Sequence, residues 1–399
     1  MTAPPLRRPR VFLRSGGDKR LVQGHPWVYS NEIRMDGDTK ELPAGSPVSL
    51  HRVDGKPLGA GTFNPHCLIA FRLFTPDAKA AIDRAFFAAR MERALALRQV
   101  LFAAPYYRMI HAEADGLPGL VVDRFADVLA VQTGTAGMEA RLEDILAVLD
   151  DICAPAVVVL RNDSRGRALE GLAPYVRLAR GELDGPVEVR EGGMSFLADP
   201  LKGQKTGWFF DQRDNRAFVA GLAAGGRMMD AYCHSGGFAI AAAAAGATEV
   251  MAMDSSEPAL ALARRAAEMN GVEGRCRFLR AEVFGELERL AADGERFRLL
   301  TADPPAFVTS RKDLKPGLKG YRKLARLAAA LVEPGGFLSL ASCSHNVEAA
   351  AFAAEVSRGI AGAGRTGRIL RSAGAAPDHP VHPHLPESAY LKSLVLQLD

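Results

Sequence analysis

Met228-Met229-Asp230-Ala231-Tyr232-Cys233-His234-Ser235-Gly236-Gly237-Phe238 reads as an apolar strand, a glycine turn and the start of a helix. Gly236 and Gly237 let the backbone approach a ligand closely, and the helix N-terminus presents free N–H groups and a positive dipole end. A dinucleotide-binding turn would carry G-x-G-x-x-G to cradle a pyrophosphate, and that pattern is missing, which disfavours a nicotinamide-dependent dehydrogenase. Asp230 at the strand end suits a cationic ligand instead. S-adenosylmethionine (SAM) fits this description, with a sulfonium, an α-amino group, a carboxylate and a ribose, and no phosphate.

Outward from this stretch, strand and helix alternate. Strands are expected at 227–231, 249–254, 277–281, 297–302, 337–341 and 390–398, with a helix at 258–270 stopped by Asn270-Gly271. Such alternation predicts a doubly wound, mostly parallel sheet. Asp254 ends the second strand, where a carboxylate can take both ribose hydroxyls. Glu282 follows the third strand and is expected near the adenine; Asp303 follows the fourth. Each acid alone is explained by a solvated strand end or a helix cap. Together they point to a SAM site along one sheet edge, with Ser235, Gly236 and Gly237 in the turn.

Asp303-Pro304-Pro305-Ala306-Phe307 and Ser342-Cys343-Ser344 each follow an apolar run of strand length. That places an acid and a thiol at the carboxyl ends of two strands, where open α/β sheets hold their chemistry. A thiol beside a carboxylate in such a sheet suits covalent attack on an electrophilic ring, although most cysteines are simply buried small hydrophobes.

A charge of +4 does not by itself indicate a nucleic-acid partner. The imbalance is local: Arg7, Arg8, Arg10, Arg14, Lys19 and Arg20 face only Asp18 near the N-terminus, a basic arm able to contact phosphates. A second basic stretch, Arg311, Lys312, Lys315, Lys319, Arg322 and Lys323, lies just past Asp303, and Pro316-Gly317 is expected to break it into an RNA-contacting loop. Cysteines 67, 153, 233, 276 and 343 form no C-x-x-C pair, so neither a disulfide framework nor a zinc site is indicated. His379, His382 and His384 alternate with prolines and have no Cys or acid at ligand spacing, so no metal is expected there. No apolar run reaches the ~18 residues needed to cross a bilayer. A soluble cytoplasmic protein with reduced thiols is expected.

Upstream, residues 9–75 read as small and β-rich, and an apolar stripe at Ile82, Phe86, Phe87, Met91 and Leu95 marks a helix to about 101. A mixed segment runs on to Asp184-Gly185-Pro186, a boundary. The expected domains are 1–75, 76–185 and 186–399.

The stretch Gly203-Gln204-Lys205-Thr206-Gly207-Trp208-Phe209-Phe210-Asp211-Gln212-Arg213-Asp214-Asn215-Arg216 resembles a signature of large-subunit ribosomal RNA cytosine-5 methyltransferases. Residues 230–238, 303–307, 342–344, 377–383 and 113–124 match the same family, and His25-Pro26-Trp27-Val28-Tyr29 resembles its PUA domain. The likeness spans nearly the whole chain. Departures are Glu282 where the family usually has Asp, and His234 in the glycine turn.

The resemblance implies an α/β fold: a C-terminal Rossmann-like class I methyltransferase sheet, an N-terminal β-barrel PUA domain over 1–75 and a central α+β domain over 76–185. It implies SAM as cofactor, with Lys205, Thr206 and Gln212 joining the acids and the turn in binding it, Cys343 as nucleophile and Asp303 as its acid partner. It also implies ribosomal RNA as partner, contacted by Arg7, Arg8, Arg10, Trp27, Tyr29, Lys312, Lys315 and Lys319, and a homodimer. A sister group on this scaffold methylates guanine, so the cysteine is what separates the two. A non-catalytic ribosome-assembly protein is the further alternative, against which the acids at 230, 254 and 303 argue. Position 306 is Ala where many RNA cytosine-5 enzymes carry a second cysteine, which leaves Cys343 as the one candidate nucleophile.

Overall fold

In the computed structural model, which describes residues 8–399, the chain forms two compact units. The first comprises the chain up to Gly185 together with Pro200–Trp208 and Asp378–Ser388. It begins with a five-stranded sheet in the spatial order Arg10–Phe12, Ser46–His51, Pro57–Phe63, Ile69–Thr75, Trp27–Tyr29. The two outer strands run into a Leu13–Ile33 bridge, flanked by Arg14 N to Glu32 O and Arg34 N to Phe12 O, which closes the sheet into a barrel. Val11, Val28, Val48, Leu50, Phe63 and Phe71 fill it.

A second five-stranded sheet follows in the same unit, antiparallel except where Val128–Thr133 and Val157–Asn162 run parallel. The crossover between those two strands is the helix Leu142–Cys153, as a parallel pair requires. The helix Arg84–Leu101 buries Phe87, Met91, Ala94 and Leu95 against this core, and Ala60 and Phe74 of the barrel strands belong to the same cluster. That shared core is why the barrel and the central sheet form one unit.

The late segment Asp378–Ser388 is tied deep into it. The fully buried Arg98 pairs with Asp115 at 2.7 Å and donates to Asp378 O, while Arg108 N donates to the Asp378 carboxylate at 3.0 Å.

The second unit carries a hairpin, Val187–Glu191 and Met194–Ala198, and a seven-stranded sheet. Its strands are β1 (Arg227–Ala231), β2 (Glu249–Asp254), β3 (Cys276–Arg280), β4 (Phe297–Ala302), β5 (Val332–Ser342), β6 (Gly367–Ala373) and β7 (Lys392–Leu398). Their spatial order is β3-β2-β1-β4-β5-β7-β6, parallel except for β7, which runs antiparallel to both neighbours. The helices are α1 (Arg213–Ala220), α2 (Gly237–Ala244), α3 (Glu257–Met269), α4 (Val283–Ala292), α5 (Leu314–Leu331) and α6 (Ala349–Gly362). Chain order reverses direction beside β1, between β1 and β4, which is where ligands bind in open α/β sheets.

The basic stretch after Asp303 departs from expectation. It is a short 3-10 turn, Arg311–Asp313, followed by α5, rather than a loop. Pro316 lies in the first helical turn, where a missing N–H removes no intrahelical bond. Gly317 is there for closeness: a Cβ on it would lie 2.3 Å from Val308 Cγ2 and 2.7 Å from Phe307 O. A residue pair that reads as a helix breaker thus seats α5 directly against the loop after β4. No helix among the described residues is long and apolar enough to cross a membrane.

Candidate active site

The register of the sheet collects the acids. Ala231 of β1 pairs with Met253 of β2 on one side and Ala302 of β4 on the other, so Asp230, Asp254 and Asp303 share the carboxyl edge. Asp230 is 1% exposed and accepts the Ala239 N–H of α2 at 2.9 Å. Burial, and the negative charges of Asp303 and Asp254, push its pKa well above the usual carboxylate range. Asp254 accepts from the amides of His234 and Ser256, both at 2.9 Å, which pins the glycine turn to β2. Each of its oxygens keeps a second lone pair for a ligand hydroxyl.

In the turn itself Gly236 sits at φ +84°, and its absent Cβ would lie 3.0 Å from Ala263 Cβ. Tyr232 and His234 also adopt positive φ, at 63° and 50°. Sequence reasoning missed these two strained residues; such conformations cluster at ligand sites. Ser235 is buried in the same turn.

These residues fit SAM. The charges of Asp303 and Asp254 raise the proton affinity of Asp230, a crowding of negative charge that a cation relieves, and a turn short of side chains admits the ligand against the backbone.

Asp303 is held from below. Gln212 Nε2 donates to Asp303 Oδ2 at 2.9 Å, and Gln212 Oε1 accepts from Asn215 Nδ2 at 2.7 Å, which fixes which end of the amide faces the acid. Gln212 and Asn215 are 2% and 1% exposed. Gln212, expected from the resemblance to bind the cofactor, lies against Asp303, and Asn215 is an addition.

Glu282 is the helix cap. It follows β3 and precedes α4, and its two oxygens accept from Phe284 N at 3.1 Å and Gly285 N at 2.8 Å. Glu282→Ala is expected to cost about 1 kcal/mol of stability, read by urea unfolding.

Cys343 follows β5 and Asp303 follows β4, the strand paired with it. It is partly exposed between two buried serines. Ser342 Oγ donates to Tyr321 OH at 2.8 Å, Tyr321 OH lies 2.8 Å from Ser344 Oγ, and Ser344 Oγ accepts Val308 N–H at 3.2 Å. The loop with the thiol and the loop with the acid are thereby joined through Tyr321 of α5, whose ring also packs 4.7 Å from Phe307. Burial raises the Tyr321 pKa, so this hub stays neutral. Lys392 of β7 completes the surroundings, donating to Ser344 O at 2.6 Å and Tyr390 O at 2.7 Å. A lone lysine inside the apolar run of β7 was its only signal in the sequence.

The other expected residues make the following contacts. Lys205 and Thr206 belong to the first unit, where the buried Thr206 hydroxyl donates to Asp123 Oδ2 at 2.5 Å. Arg7 lies outside the described residues. Arg8 is half-buried and its guanidinium donates to Ala80 O, so it is engaged inside the first unit, whereas Arg10 is exposed. Trp27 is half-buried and donates through Nε1 to Glu113 at 2.8 Å; Tyr29 lies under the Arg20 guanidinium. His379 Nδ1 lies 2.8 Å from Asp378 Oδ1, and the His382 and His384 rings meet edge-on at 6.0 Å.

Lys312 in the 3-10 turn and Lys315 and Lys319 at the start of α5 are all exposed. Among the described residues no acid pairs with them, whereas Arg322 and Lys323 further along pair with Glu355 and Glu288.

A glycine turn against a carboxylate-rich edge, on a parallel sheet with a single antiparallel strand next to one end, defines the class: a SAM-dependent methyltransferase. Comparison agrees. The S-adenosylmethionine-dependent methyltransferase family matches residues 175–394, and a PUA-like domain matches 11–76. "Ribosomal RNA large subunit methyltransferase I" of Shewanella denitrificans is 36% identical over 98% of this chain and 99% of its own length; the protein of that name from Aeromonas hydrophila is 36% identical over 97% and 98%. The chain belongs to this methyltransferase family. In fold it also matches a Streptococcus mutans protein described as a SAM-dependent methyltransferase, with TM-score 0.82 at 20% identity over 98% of this chain and all of that one. A further methyltransferase structure, complexed with S-adenosylhomocysteine, matches at TM-score 0.83 and 19% identity over 98% of this chain and all of that one.

Proposed function

We propose that the protein methylates C5 of a cytosine in large-subunit ribosomal RNA by covalent addition of Cys343 to C6. The names of the full-length relatives support the RNA class. The observation that carries the chemistry is that Cys343 and Asp303 follow paired neighbouring strands, in loops bonded to each other through Ser344 and Val308.

Cytosine C5 is a weak nucleophile. When the Cys343 thiolate adds to C6, the C5–C6 double bond opens and its electron pair makes C5 nucleophilic. SAM bound at the carboxyl edge supplies an electrophilic methyl group there. Asp303 holds the base at N3 and N4 and stabilises the adduct by proton sharing, with Gln212 fixing the carboxylate. Loss of the C5 proton to water and departure of the thiolate restore the ring. The target base must be unstacked or single-stranded to reach such loops.

Lys312, Lys315 and Lys319, which have no acid partner among the described residues, give the RNA a backbone contact next to this chemistry. Replacing Lys312, Lys315 and Lys319 together with glutamine is expected to flatten the slope of log K against log salt by about 2, measured by RNA-binding titration at several salt concentrations. An unchanged slope would remove α5 from the RNA interface.

The deciding experiment uses ribosomal RNA carrying 5-fluorocytosine, with SAM present. Fluorine at C5 blocks the final proton loss, so a protein–RNA adduct should accumulate and map to Cys343. Methyl transfer without any adduct would sink the reading and favour a guanine-directed reaction on the same scaffold.

A further inference from the structure

Lys392 is a charged side chain in a place that normally excludes charge. It opens β7, directly opposite Ser342 of β5 in the antiparallel register, and the residue is 8% exposed. Its ammonium is held by two backbone carbonyls, Ser344 O and Tyr390 O. Among the described residues no carboxylate forms an ion pair with it. A buried ammonium bound only to neutral carbonyls is unfavourable unless a negative charge lies close by. The side chain runs from the level of Ser342 to the carbonyl of Ser344, and Cys343 is the residue between them.

We infer that Lys392 is the positioning residue for the nucleophile: its ammonium clamps the Ser342–Ser344 turn and supplies the positive charge against which the Cys343 thiol ionises. This rests on the reading of Cys343 as nucleophile.

The electrostatics agree with the geometry. Burial lowers the Lys392 pKa, and the groups that pull it back up are Cys343 and, more weakly, Glu348 ahead of α6. A lysine that stabilises a thiolate is stabilised by it in return. Further groups near the turn are Tyr321 from α5, neutral because burial raises its pKa, and His345, whose ring stacks on Tyr390 at 5.1 Å. None of these supplies a fixed positive charge. Arginine at 392 would keep the charge, and methionine would keep only the aliphatic length.

The test is the pH dependence of Cys343 alkylation by iodoacetamide, followed by peptide mass spectrometry so that the other cysteines do not interfere. In the wild type the midpoint should lie below the ~8.5 of an ordinary thiol. Lys392→Met should move it upward by about a pH unit or more, and Lys392→Arg should restore it in part; a clamp without an electrostatic role would leave the midpoint in place. Methyl transfer by Lys392→Met should fall in kcat with KM for ribosomal RNA unchanged. A wild-type midpoint at or above ~8.5 overturns the inference, even if Lys392→Met does not fold, and so does an unchanged midpoint in a folded Lys392→Met. The alkylation needs no RNA. A low midpoint with no 5-fluorocytosine adduct would therefore refute cytosine-5 chemistry while leaving the coupling of Lys392 to Cys343 intact.

Discussion

Cys343→Ala is expected to lower methyl transfer to ribosomal RNA at least about 10⁴-fold, because removing a covalent nucleophile removes the whole pathway rather than one interaction along it. SAM affinity, read by calorimetry, should stay at the wild-type value. The acids and glycine turn that fit the cofactor lie at the carboxyl ends of β1, β2 and β4, whereas the thiol follows β5. The flanking serines keep their bonds to Tyr321, so the loop should survive the change. A Cys343→Ala protein that still transfers methyl groups at more than a few per cent of the wild-type rate would end the covalent mechanism. The thiol would then be a packed bystander.

The second large effect is expected at Asp303. Asp303→Asn should cost about 10²–10³-fold in kcat, the usual scale for a positioned proton donor or acceptor, with little change in KM for RNA. The amide oxygen can still accept from Gln212, so the loop geometry is retained while the shared proton is lost. The substitution also removes a negative charge that raises the Asp230 pKa, and Asp230 should ionise more readily in the variant. Single-turnover kinetics separates the two consequences, since only the chemical step should slow. A full-rate Asp303→Asn enzyme would rule out the acid role.

The reading of the sheet from sequence was close because its signals are local. The expected strands at 227–231, 249–254 and 297–302 coincide with Arg227–Ala231, Glu249–Asp254 and Phe297–Ala302, since short apolar runs bounded by glycine and acid are visible without knowing their partners. The helix expected at 258–270 is Glu257–Met269 for the same reason. What stayed hidden depends on partners distant in the chain. Asn215 matters through Gln212, and Tyr321 through serines more than twenty residues on. Lys392 matters through a strand pairing that no local pattern encodes. The start of α5 was misread for a different reason: Pro316 and Gly317 carry strong local signals, but their meaning reverses when they fall in a first turn pressed against another loop.

The placement of Asp378–Ser388 in the first unit has a consequence for how the chain is made. Arg98 and Arg108 are translated early, yet the buried acceptors they meet at Asp378 come 280 and 270 residues later. On the ribosome, a nascent chain can form its barrel and central strands long before those partners emerge. Until then a buried guanidinium lacks one of its acceptors. The amino-terminal half must therefore wait in an incompletely satisfied state through most of synthesis, and a message cut short before residue 378 would yield a protein that never leaves it.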